Sequence, residues 1–155
     1  MVENPSTKHP LIRLARETDI GAMAGLLAEL FAIEADFEPD TEKQTSALAM
    51  LLESDTAEVL VADIDGEVIG MCTMQRLVST AEGGWSGLIE DVIVAEGYRG
   101  RGIGTLLLQG MTRRATAWGI GRLQLLADDG NSSAHDFYAS RGWHPTGLHA
   151  LRHRL

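Results

Sequence analysis

Cysteine is nearly absent from this chain of 155 residues. With Cys72 alone, no intrachain disulfide can form and no cysteine cluster can hold zinc, and Cys72 is expected in the core. Positive charge is also scarce: 13 lysines and arginines stand against 22 aspartates and glutamates, for a formal net charge of −9. That balance argues against a general nucleic-acid binder, whose affinity rests on cations that neutralise phosphates, and it is compatible with a cationic or amine partner. No apolar run approaches the roughly 20 residues needed to cross a bilayer, and 1–10 has charged and turn-forming residues where a signal peptide would be apolar. A cytoplasmic protein with no nucleic-acid and no membrane partner is expected. Repeats, low-complexity tracts and composition breaks are missing as well, which predicts a flexible segment over 1–10 and one domain over 11–155.

Leu11–Ala15 alternates like a short strand, and Thr18 and Asp19 offer caps for an amphipathic helix over Ile20–Ile33. After the acidic stretch Glu34–Asp40, Thr41 is placed to cap a second helix running through Leu52. Glu58–Asp63 and Val68–Gln75 flank Asp65-Gly66, a strong hairpin signal. Leu88–Val94 reads as a buried strand, Ile103–Trp118 as a helix, Arg122–Ala127 as a strand and Ser132–Ser140 as a short helix. Trp143–Thr146 and Leu148–Leu155 are expected to close the chain as two strands around Gly147. The order β α α β β β α β α β β predicts an α/β (α+β) fold, a mixed and mostly antiparallel sheet flanked by helices.

The stretch Tyr98-Arg-Gly-Arg-Gly-Ile-Gly104 lies where the Leu88–Val94 strand hands over to a helix. Glycine allows backbone to approach a ligand closely, the helix N-terminus favours negative charge, and Arg99 and Arg101 add charged donors, a combination suited to phosphate. The dinucleotide pattern Gly-x-Gly-x-x-Gly fails, because its third glycine falls on Thr105 or Leu107; a P-loop fails for want of Gly-Lys-Ser or Gly-Lys-Thr. Arg-x-x-Gly-x-Gly at Arg99, Gly102 and Gly104 does fit, and a second pattern follows at Asn131-x-x-Ala134-x-x-Phe137-Tyr138-x-x-x-Gly142-Trp143.

In these two motifs, in this order, the sequence resembles the GCN5-related N-acetyltransferase (GNAT) superfamily, with Trp143 where phenylalanine is usual. The resemblance implies an N-acetyltransferase that takes its acetyl group from acetyl-coenzyme A. It puts backbone contacts to the pantetheine arm at Val92, Ile93 and Val94, and contacts to the pyrophosphate at Arg99, Gly100, Arg101, Gly102, Ile103, Gly104 and Thr105, with Asn131 and Tyr138 from the second motif. Tyr138 matches the family's tyrosine acid, and a phenol can protonate a departing thiolate.

Amine acetylation needs a neutral nucleophile and therefore a base. Glu90 and Asp91 are conspicuous carboxylates in an otherwise apolar strand, where burial can raise a pKa toward neutrality. Strand alternation sends them to opposite faces, with Glu90 beside Leu88, Val92 and Val94, so only one is expected to meet the substrate and Glu90 is the expected base. The N–H of Ile93 or Val94 is a candidate donor to the thioester oxyanion. Phe31, Phe37, Trp85 and Glu90 are candidate acceptor-binding residues; Trp85 either packs on the sheet or lines a pocket. The histidines are scattered, and no metal site is expected.

The acceptor is left open among small amines, polyamines, amino-acid derivatives and amino-sugar phosphates. Ile89–Val92 is similar to the corresponding strand of glucosamine-6-phosphate N-acetyltransferases. A small-molecule primary amine acetylated by direct attack, on a possible homodimer paired through its C-terminal strands, competes with two other readings: a non-catalytic acetyl-coenzyme A sensor, and a protein or peptide N-acetyltransferase.

Overall fold

A computed structural model describes residues 8–34 and 36–155; most of the N-terminal segment expected to be flexible falls outside them. The elements are β1 (Leu11–Leu14), α1 (Ile20–Ile33), α2 (Thr41–Glu53), β2 (Ala57–Ile64), β3 (Glu67–Ser79), β4 (Gly84–Val94), α3 (Ile103–Ala117), β5 (Leu123–Leu125) and α4 (Ser132–Ala139). The five strands form one sheet in the order β1-β2-β3-β4-β5, and β1 to β4 run antiparallel. Gly121 N–H donates to Trp85 O, and Gly87 N–H donates to Arg122 O. These bonds advance together along both segments, the parallel sense, so the sheet is mixed as expected.

Local chemistry explains the element ends. The hairpin β2–β3 turns on Asp65 (φ 54°) and Gly66 (φ 89°), the two positive φ angles that a type I′ turn demands. Asp40, rather than Thr41, caps α2 by accepting from Lys43 N–H at 3.1 Å. Asp19 does not cap α1 at all. Its carboxylate accepts from Arg13 Nη1 at 2.7 Å and from Arg16 N–H at 2.8 Å. Arg13 also reaches Asp63 through Nε at 2.9 Å, and its hydrogen bonds hold both carboxyls below the usual range.

The chain forms two compact units, one through Gln124 and one from Leu125. In the first, Met23, Ala24, Leu26 and Leu27 of α1 and Leu48 of α2 pack with Val59, Val61, Met71 and Ile93 of the sheet. Burial of such side chains supplies most of the drive to fold. Gly110 lets α3 approach the sheet, since a Cβ there would lie 3.1 Å from Ile12 Cγ2 and 3.2 Å from Leu60 Cδ1. Buried Glu58 of β2 takes a two-pronged bridge from Arg114 of α3, at 2.7 and 2.6 Å.

The second unit holds α4 and the chain after it. The two closing strands expected over Trp143–Leu155 are not formed: residues 143–155 have no regular structure, and Leu148, Leu151 and Leu155 are exposed. Pro145 lacks a ladder donor and Gly147 interrupts the run, so the pairing edge expected for a homodimer is missing. Among the described residues, no helix is long and apolar enough to cross a membrane.

Candidate active site

The pairing of β3 with β4 sets the site. Cys72 lies opposite Val92 and Met74 opposite Ile89, which leaves Thr73 alone facing both Glu90 and Asp91. Two residues against one is a β-bulge. It overturns the expected alternation: instead of parting to opposite faces, Glu90 and Asp91 line the same pocket of about 460 Å³. Leu27 and Phe31 of α1 and Leu48 and Leu51 of α2 line the rest of the wall together with the polar Lys43, Gln44, Ser54 and Gln75, so the acids meet a space that is apolar over most of its surface but holds one lysine.

The two carboxylates differ. Glu90 is exposed. Asp91 is largely withdrawn from water, and burial pushes its pKa up to about 6, with the nearby charge of Glu90 adding to the rise. Thr73 opposes that rise by donating its hydroxyl to Asp91 Oδ2 at 2.7 Å, while Thr73 Oγ1 accepts from Asp91 N–H at 3.1 Å. The threonine thus fixes both the backbone and the carboxylate at the bulge. Cys72, next in β3, is fully buried, and burial raises its thiol pKa far above the ordinary range.

Of the expected acceptor-binding residues, Phe31 and Glu90 line the pocket. Phe37 is brought to it indirectly, its ring 5.5 Å from that of Phe31. Trp85 sits at the other end of β4, opposite Val78, and is not among the pocket's lining residues. There the Arg76 guanidinium lies 4.4 Å from the Trp85 ring and 4.5 Å from the Trp118 ring, so Trp85 has the packing role of the two offered for it.

On the cofactor side, ladder geometry separates three residues expected to act alike. Ala95 N–H donates to Ile69 O at 2.8 Å, so alternate residues of β4 bond to β3 and Ile93, opposite Met71, turns its N–H inward to the ladder. Val92 and Val94 turn theirs away from β3, to the side of β4 on which β5 lies. The chain entering β5 meets β4 at Trp85 and Gly87 through Gly121 and Arg122, and β5 itself has only three residues. An extended amide chain laid along Val92–Val94 would find backbone partners.

The glycine turn has the conformation its sequence promises. Gly100 (φ 74°) and Gly102 (φ 78°) are left-handed, a region that other residues enter at a cost. Gly102 precedes α3 and offers no side-chain cap. The N–H groups at Ile103, Gly104 and Thr105 therefore open the helix without a side chain of the capping residue over them, an arrangement suited to an anion. Within the chain Arg99 donates through Nε to Val94 O at 2.8 Å and through Nη2 to Glu29 Oε2 at 3.2 Å. Arg101 donates to Gly97 O at 3.0 Å and lies over the Tyr98 ring at 5.2 Å.

In the second unit, Asn131 caps α4 by accepting from Ala134 N–H at 3.1 Å. Tyr138 is half-buried on that helix, its ring edge-on to Phe137 at 5.1 Å and to Trp143 at 5.8 Å. Sequence reasoning missed Thr73, Gln75 and Glu29. The first two look like ordinary residues of a hairpin strand, and only strand register or tertiary contact gives any of the three a role.

Residues 27–143 match the acetyltransferase (GNAT) family. The thialysine N-epsilon-acetyltransferase of Bos taurus is 30% identical over 144 residues, covering 85% of this chain and 82% of that protein. The aminoalkylphosphonate N-acetyltransferase of Salmonella typhimurium is 26% identical over 132 residues, covering 85% and 83%. The L-ornithine N5-acetyltransferase NATA1 of Arabidopsis thaliana is 39% identical over 54 residues, which span 35% of this chain and only 24% of that enzyme. Among solved structures, the aminoglycoside N-acetyltransferase AAC(6')-Iy in complex with CoA superposes with a TM-score of 0.82 at 18% identity, covering 97% of this chain and 98% of that one. The left-handed glycine turn, the open helix start and the outward edge of β4 fit the phosphate and pantetheine parts of such a donor, and the chain belongs to the GNAT family, as an N-acetyltransferase whose acetyl donor is acetyl-coenzyme A.

Proposed function

We propose that the protein acetylates the primary amine of a small molecule by direct attack, with Asp91, rather than Glu90, as the base. The observation that carries this reading is the bulge opposite Thr73, which turns a carboxylate with a pKa of about 6 into an otherwise largely apolar pocket. Such a group is ionised at neutral pH yet basic enough to accept a proton. The three relatives named above are, by name, acetyltransferases of small amines, which supports a small acceptor. The family match runs through both compact units, which supports reading 11–155 as one catalytic domain.

When bound, acetyl-coenzyme A supplies the acetyl thioester. The pocket between α1, α2 and the sheet holds the acceptor, its apolar wall displacing water and the exposed Glu90 attracting the incoming ammonium. Asp91, ionised, takes one proton from that ammonium and frees its lone pair; the neutral nitrogen then bonds to the acetyl carbon, and its second proton, made acidic by the new bond, leaves to solvent. Outward N–H groups of Val92 and Val94 stabilise negative charge on the carbonyl oxygen. Tyr138, from its place in the second motif, returns a proton to the departing sulfur.

Thiol release across a panel of free amines and peptides tests the assignment. Free amines should outperform peptides, and Tyr138→Phe should lower kcat about tenfold or more with little change in acetyl-coenzyme A affinity. Cofactor binding with no turnover on any amine would make the protein a sensor instead.

A further inference from the structure

We infer that Glu29 is a positioning residue for the cofactor turn, and that Arg99 serves there as a strut between α1 and the end of β4 rather than as a ligand of phosphate. One carboxylate oxygen, Glu29 Oε2, accepts from Glu96 N–H at 3.2 Å and from Arg99 Nη2 at 3.2 Å. The first bond satisfies a backbone donor at the start of the 3₁₀ turn Glu96–Tyr98, a place where no side chain of the turn's own N-cap residue, Ala95, can serve. Through its Nε, Arg99 also holds Val94 O at 2.8 Å. Glu29 thus fixes the chain at both ends of the short link between the strand edge and Gly100–Gly104.

An exposed ion pair of this kind, with both side chains about 40% accessible, adds little to stability. Its value is geometric. Placement errors of an ångström in a site of converging N–H groups weaken every bond to an anion at once. The same helix serves the acceptor: Leu27 and Phe31, two residues to either side of Glu29, line the pocket. Residues two apart on a helix do not share a face, so α1 presents one side to the acceptor and another to the cofactor turn.

This inference rests on the reading of Gly100–Thr105 as the pyrophosphate cradle, and the experiment separates the two. Steady-state kinetics at varied acetyl-coenzyme A, with the amine saturating, would compare Glu29→Ala, Glu29→Gln, Arg99→Ala and Gly102→Val with the parent. A strut predicts that Glu29→Ala raises the KM for acetyl-coenzyme A about fivefold, the scale of one or two lost charge-assisted hydrogen bonds, with kcat and amine KM held. Glu29→Gln, whose amide oxygen still accepts from Glu96 N–H, should recover part of the loss. In the double variant Glu29→Ala/Arg99→Ala the increase should be smaller than the product of the two single increases, because the shared Glu29–Arg99 bond is lost only once. If Arg99 instead binds phosphate and Glu29 competes for it, Glu29→Ala frees the arginine and the KM falls, which overturns the strut. An unchanged KM in Glu29→Ala with an increase in Gly102→Val also overturns it. An unchanged KM in both variants overturns the cradle itself.

Discussion

The two ends of β4 are built for opposite purposes. Near Gly84–Gly87 the strand is paired on both sides, to β3 and to the chain entering β5, and Trp85 lies against an arginine that a second tryptophan also covers. Near Glu90–Val94 the ladder to β3 is broken by a bulge, two acids face a pocket, and Val92 and Val94 turn their N–H groups away from β3. One continuous strand therefore supplies both a fixed support and an end that opens on the pocket. The support holds the geometry, and the bulge spends regularity to bring a carboxylate into an apolar wall.

The contrast breaks most sharply at Asp91. Asp91→Asn should lower kcat by about a hundredfold or more, the usual worth of a general base, with the KM for acetyl-coenzyme A nearly unchanged. It should also stabilise the fold at pH 8. Because the native pKa of about 6 lies above the unfolded value near 4, the native state binds more protons between those values and stability falls as pH rises through that window. Removing the ionisable group should recover about 2 kcal/mol at pH 8 and nothing at pH 3. Thermal unfolding at the two pH values checks this, and equal shifts at both would refute a titration origin.

At the other end the outcome should be reversed. Trp85→Ala should cost about 2 kcal/mol of stability by removing an indole from Arg76, seen as a lower Tm. The pH dependence of kcat should stay in place, and a shifted profile would mean that the two ends are not separable.

The finest changes lie within the bulge. Thr73→Val removes the hydroxyl that lowers the Asp91 pKa, so the acid limb of the kcat profile should move to higher pH. Glu90→Gln removes the charge that raises it, and the limb should move a fraction of a unit the other way. Shifts in the same direction for both variants would mean that Asp91 does not set that limb.

Most of the element order was legible because its signals are local. Apolar spacing marks α1 and α3, and Asp65-Gly66 fixes the hairpin. The glycine turn was equally readable, since left-handed glycines before a helix leave few alternatives. What could not be read was register. Alternation alone separates Glu90 from Asp91, and nothing in the run Ile89–Val92 announces the extra residue that β3 leaves unopposed. The ion pair of Arg99 was hidden for a related reason: its partner, Glu29, is 70 residues away in sequence and meets it only through tertiary folding. The closing strands failed because alternation without a burying partner does not make a strand.

The buried thiol of Cys72 has a practical consequence for all of these measurements. Each turnover releases coenzyme A with a free sulfhydryl, which an aromatic disulfide reagent reports by colour. The reagent reacts with thiolates that it can reach, and Cys72 is fully covered, with ionisation strongly disfavoured. In the folded enzyme every equivalent of colour therefore counts a product molecule. A variant whose blank reads one equivalent per chain has opened its core, so one cuvette reports both catalysis and the integrity of the sheet beneath it.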